Sequence, residues 1–175
     1  MISQIGSLAL NIASGLILST FFFLFYYRFT KNKIFIDLSE RAIIATCLSI
    51  ILSTICLLNE LLISNFNLQY VAQYTSYETP MFFKVTSLWA GQAGSLLFWS
   101  FIMSIYSLIY ILSTLKRIKE LKYPSYLILA FIFGFFLVLS NFIANPFEPV
   151  SLDIIVQNGN GLNPLLQNVT MAIHP

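Results

Sequence analysis

Residues 8–27 read LALNIASGLILSTFFFLFYY, twenty positions without a charge. About 20 apolar residues in a helix cross the hydrocarbon core of a bilayer, and this stretch meets that length. Three more do so: 42–63, interrupted only by Glu60 near its far end, then 94–115 and 125–144. Each is apolar around its whole circumference, and none alternates as a strand would. The expected fold is all-α: a polytopic transmembrane bundle of four membrane-spanning helices. The composition agrees, since 58% of the 175 residues are hydrophobic and 9% charged, whereas soluble chains carry about a quarter charged residues.

The counts exclude several functions. Nine Lys plus Arg among 175 residues make no nucleic-acid surface. A single His rules out a multi-histidine metal centre, and no Ser-His-Asp set, Walker loop or paired acid cluster is available for hydrolytic or phosphoryl chemistry. Cys47 and Cys56, nine apart in an apolar run, point to opposite helix faces and read as buried structural thiols. No CxxCH haem-attachment motif occurs, so no haem is held covalently.

The basic residues set the orientation. Arg28, Lys31, Lys33 and Arg41 fall between the first two spans, and Lys116, Arg117, Lys119 and Lys122 between the last two, leaving only Lys84 elsewhere. Positive charge gathers on the cytoplasmic or matrix side. Both termini, the 66–93 loop and the 145–175 segment are therefore expected on the outer side. No basic region precedes the first span, which argues for a first helix inserted N-terminus out rather than a cleaved signal peptide.

Function is expected on that outer side. In the run 88–99, LWAGQAGSLLFW, the pairs Ala90/Gly94 and Gly91/Ser95 are four apart and form a groove suited to close backbone contact. Trp89 and Trp99 bracket it, either as interfacial anchors or as a flat aromatic wall for a planar apolar ligand. In the last segment Asn163 and Pro164 read as N-cap and first residue of a short helix. Leu162, Leu165, Leu166, Val169 and Ile173 would form its apolar stripe, with Gln167 and Asn168 off it. His174 stands at its end, held extended by Pro175, and a neutral imidazole is a good ligand for haem iron. Glu60 is expected to reach the headgroups, and Lys84 to form an exposed pair with Glu78.

The matching stretches Tyr70-Val-Ala72, Pro80 with Lys84, LWAGQAGSLLFW at 88–99, NPFEP at 145–149 and GNGLNPLLQNVTMAIHP at 159–175 together resemble the CcmF-type haem lyases of cytochrome c maturation, with their NrfE and CcsA relatives. The resemblance covers essentially the whole chain but only the family's N-terminal portion. It implies transient binding of haem at the outer face of an inner membrane, for attachment to the CxxCH thiols of an apocytochrome c. It implies a haem chaperone (CcmE-like), a thiol-handling partner (CcmH-like) and the remainder of the lyase as partners. His174 is the one haem axial ligand it carries over, with Trp89 and Trp99 as haem surroundings. The family's second outer histidine and its tryptophan-rich segment have no counterpart here. The sequence therefore reads as a truncated or split-gene piece, expected to lack lyase activity alone. A structural scaffold, or a fragment of a transporter or quinone-handling complex, is the alternative.

Overall fold

Helix α1 (Ile2–Thr30) opens the computed structural model, which describes residues 1–113, 119–151 and 156–173. Two residues turn it into α2 (Lys33–Leu62): Lys31, left-handed at φ 53°, and Asn32, whose side-chain oxygen accepts from the Ile34 amide at 3.0 Å. An Asn cap satisfies an amide that would otherwise have no partner. The basic stretch 28–41 is thus mostly helical, where a loop was expected. After two short helices, α3 (Gln69–Tyr74) and α4 (Met81–Thr86), come α5 (Gln92–Ser113) and α6 (Lys122–Val138), the latter continued by a π-turn over Leu139–Ile143. A five-residue helix, α7 (Val169–Ile173), ends the described chain.

Four helices are long and apolar enough to cross a membrane: α1, α2, α5 and α6 with its π-turn. Each expected span meets one of them, with residues 114–115 outside the described residues. Among the described residues the only strand-like pairing is an isolated antiparallel bridge, Leu68 to Pro149.

Apolarity cannot decide which helix face is buried, because lipid tails are as apolar as leucine. Side-chain size and hydroxyls decide it. On α2, Ile36, Ile43, Ile50 and Leu57 alternate with Ser39, Thr46, Ser53 and Glu60 at the three- and four-residue steps of a packed helix seam, and all eight are buried. The hydroxyls of Ser39 and Thr46 fold onto carbonyls four residues back, so burial leaves them satisfied. Ser53 instead donates across the seam to the Gly6 carbonyl of α1 at 3.0 Å. This seam makes α2 the central helix, touching α1, α5 and α6. The thiols follow the expectation: Cys47 lies against Ser104 of α5 and Cys56 beside Gly6 of α1, both buried on opposite faces.

Contacts gather the chain reversals into two ends. At one, Tyr27 meets Tyr123 and Lys122 pairs with Glu40 at 2.5 Å, which brings the α1–α2 turn beside the start of α6. The fully buried Tyr126 donates to the same Glu40 oxygen. At the other, Phe147 lies on Gly6, where a Cβ would stand 2.4 Å from its ring. Removing the carboxylate would leave an ammonium and a buried phenol unsatisfied, at about 1–3 kcal/mol. Glu40→Ala should therefore lower the thermal unfolding midpoint in detergent micelles, and Glu40→Gln, which still accepts from Tyr126, should lower it less.

Candidate functional site

The end opposite Glu40 carries a cap built from 64–91, 145–151 and 156–163. Its centre is a tyrosine pair on α3. Tyr70 is 4% exposed, and its hydroxyl donates to the Ser87 carbonyl at 2.8 Å while accepting from the Gly91 amide at 3.2 Å. Burial pushes its pKa up, so it stays a neutral donor. Tyr74, one turn on, packs against it with ring centroids 4.7 Å apart.

These rings fill the small-residue notch at the start of α5. A Cβ on Gly94 would stand 2.2 Å from the Leu88 carbonyl and from the Tyr70 hydroxyl, and one on Gly91 2.3 Å from the Tyr74 phenol. The groove expected to receive another helix backbone receives two side chains of its own chain instead. The reason is local: α3 folds back over α5 with its aromatic residues four apart on one face, as neighbours on a helix are.

The two tryptophans part company. Trp89 is half-buried and stacks on Phe98 at 5.0 Å and 28°, and Phe98 on Phe101 at 6.2 Å and 21°, a near-parallel aromatic slab down α5. Trp99 is 58% exposed and takes no part in that slab. A flat apolar guest fits the slab's chemistry, with rings for one face. His174, the expected iron ligand, lies outside the described residues.

Residues 156–163 form a strap across the end of α3. The Asn160 and Gly161 amides donate to the carbonyls of Ala72 (2.8 Å) and Thr75 (3.2 Å). A Cβ on Gly159 would stand 2.0 Å from the Thr75 carbonyl, and Gly161 takes φ +76°, so both glycines are structurally required. Asn158 fastens the strap sideways, accepting from the Tyr77 amide at 3.0 Å and donating to the Glu78 carboxylate at 3.0 Å. That last bond, foremost, holds the Glu78 carboxyl below its ordinary pKa.

Past the strap, the Asn163 side chain accepts from the Leu165 amide at 3.0 Å with Pro164 at the first helical position, as the sequence predicts. The single amphipathic helix does not follow. Pro164–Gln167 is one 3-10 turn, and Asn168 goes extended and starts α7 by accepting from the Thr170 amide at 3.1 Å. A second Asn cap interrupts the stripe, leaving Leu165 and Val169 exposed. Glu60 also departs from expectation: it is 2% exposed and accepts from the Asn65 side-chain amide at 2.7 Å, an internal donor replacing headgroup water. Lys84 donates to the Ser64 hydroxyl at 2.6 Å and acts on Glu78 as a nearby charge without the expected direct ion pair, while Asn158 holds that carboxylate.

A membrane bundle whose polar end is closed by a glycine-rich strap over an aromatic notch defines the class, and comparison with known proteins gives the family. The chain is 34% identical to the cytochrome c-type biogenesis protein NrfE of Haemophilus influenzae, over 84% of its own length and 23% of that protein's. It is 24% identical to CcmF of the same organism, over all of this chain and 27% of the relative. The solved structure titled Cytochrome c Heme Lyase CcmF shares the fold at a TM-score of 0.77 with 22% identity, covering 87% of this chain and 26% of that one. No family model matches the chain. The chain belongs to the CcmF-type family of cytochrome c biogenesis proteins, and it is a membrane protein. It spans about a quarter of the length of the curated relatives it matches.

Two outcomes test the cap. Gly94→Ala should destabilise the protein by about 1–3 kcal/mol, as overpacking against a fixed carbonyl does, and speed proteolysis of 66–93. The control Gly15→Ala, with nothing within 4 Å, should be neutral or stabilising. The strap should also be acid-labile. A carboxyl whose folded pKa is depressed stabilises above its unfolded value and loses that contribution as pH falls through the folded one. Protection of the Tyr77 and Gly159 amides from exchange, taken relative to the intrinsic rate at each pH, should therefore fall below the ordinary carboxyl value of 4.5, and Glu78→Gln should abolish the change.

Proposed function

We propose that the chain acts in cytochrome c maturation as the N-terminal transmembrane portion of a haem lyase, in the inner membrane with the strap end on the periplasmic side. In this reading that end holds haem, as substrate and without a covalent bond, for addition of apocytochrome CxxCH thiols. His174 supplies a neutral nitrogen to the iron. The slab headed by Trp89 offers an apolar face, and Trp99, exposed on α5, sits in the membrane surface toward the bound partner. A haem chaperone, the apocytochrome, a thiol-handling protein and the remainder of the lyase would meet at this end.

The strap carries the reading. Two backbone bonds to α3 fix where the Asn163-capped turn begins, and His174 follows eleven residues on in the sequence. Ligand placement through rigid elements is what a weakly held substrate requires, since misplacement by about 1 Å can cost 100-fold. The positive-inside distribution supports the side, as Arg28, Lys31, Lys33 and Lys122 all lie at the opposite end.

The test is a reduced pyridine haemochrome spectrum of the chain purified together with the polypeptide that supplies the remaining family segments. A haem signal is expected, falling several-fold in His174→Ala and restored in part by exogenous imidazole. A signal unchanged by that substitution, or none in the unsubstituted chain, would favour a haem-free scaffold.

A further inference from the structure

The seam between α1 and α6 is open at the surface of the bundle and is not filled. Two clefts run along it, of about 570 Å³ toward the Glu40 end and about 640 Å³ toward the strap end, with Phe21 lining both. Gly134 lines the strap-end cleft, where a Cβ would make ordinary contact with Phe21 at 3.5 Å and Ile17 at 3.8 Å, so a larger side chain would occupy the furrow. The polar groups stand at the two extremities. Toward the strap, Ser14 accepts from the Asn141 side chain at 3.0 Å. At the opposite mouth stands Arg28.

Arg28 is exposed and makes no ion pair among the described residues. Its neighbours are engaged: Lys122 is held by Glu40, and Lys31 lies 5.7 Å over the Tyr27 ring. An apolar furrow with an exposed cation at its mouth, unpaired among the described residues, matches an amphiphile with an anionic head and apolar tails. Length agrees. Eleven residues separate Arg28 from Ile17 at the far cleft, about 16 Å of helix, and one leaflet of hydrocarbon is about 15 Å. A second helix would fit poorly, because the exposed rings of Phe25, Phe131 and Phe135 stand out from the walls and would hold its backbone off.

We propose that the α1–α6 furrow is a binding site for an anionic phospholipid, its phosphate on Arg28 and an acyl chain lying along Phe21 toward Gly134. The site is independent of haem handling.

The test titrates the full chain in detergent with phosphatidylglycerol, with phosphatidylcholine of the same acyl chains, and with glycerol phosphate, counting bound molecules by native mass spectrometry. Phosphatidylglycerol should bind about fivefold more tightly than phosphatidylcholine, the factor for one basic residue near a charged headgroup. Arg28→Gln should erase that preference and Arg28→Lys keep it, both at exposed positions that leave the helix content unchanged. Gly134→Leu should weaken both lipids alike, and glycerol phosphate should not compete. Equal binding of the two lipids, a preference surviving Arg28→Gln, displacement by glycerol phosphate, or a dimer broken by Gly134→Leu would each overturn the proposal.

Discussion

Two carbonyl groups, those of Ala72 and Thr75, determine how the polar end of the molecule is closed. Helix α3 has six residues, too few to satisfy its own last acceptors, and a buried carbonyl without a donor is costly. The amides of Asn160 and Gly161 supply the donors from nearly ninety residues further along the chain. Because the strap must lie flat on those oxygens, position 159 has no room for a side chain. Because α3 is held in place, Tyr70 and Tyr74 fill the glycine notch of α5. The polar cap and the membrane helices are one continuous set of contacts, from the strap through two rings to the Trp89 slab.

Below the cap, α2 organises the bundle. Its buried seam alternates large apolar residues with small hydroxyl-bearing ones, which replaces the missing hydrophobic drive inside a membrane with close contact and satisfied hydrogen bonds. Both of its glutamates near the ends are used. Glu40 ties α2 to α6 through Lys122 and Tyr126, and Glu60 receives Asn65 as the chain leaves the helix. A carboxyl group at each end of a central helix fixes the helix along its axis, since moving it either way would break the bonds to Lys122 and Tyr126 or the bond to Asn65.

The number and type of the spanning helices were legible from hydropathy, because a membrane demands runs of about 20 apolar residues. The lengths of α1 and α2 were not, since both run on into the basic stretch that was expected as a loop. The Asn163 cap was legible too, since Asn-Pro has a local meaning that tertiary context did not override. Three features were not. Asn32 and Asn168 also cap helices, but their capping depends on where neighbouring turns pack. The partners of Gly91 and Gly94 lie on another element, and small-residue spacing announces a close approach without saying what approaches. Glu60 was read as solvated because it stands near a span's end; its internal donor, Asn65, comes from a left-handed turn at Ser64 that hydropathy does not register. The glycines at 159 and 161 carried a signal, as two glycines beside asparagines in an otherwise apolar chain mark a backbone held tightly against something.

The account depends on the strap and the basic turn lying on opposite sides of the membrane, the strap outward. Cys47 and Cys56 are both buried, so an introduced thiol is read without native background. A membrane-impermeant maleimide applied to spheroplasts should label Gln157→Cys and spare Lys33→Cys until the membrane is opened. Labelling of Lys33→Cys from outside, with Gln157→Cys protected, would contradict it.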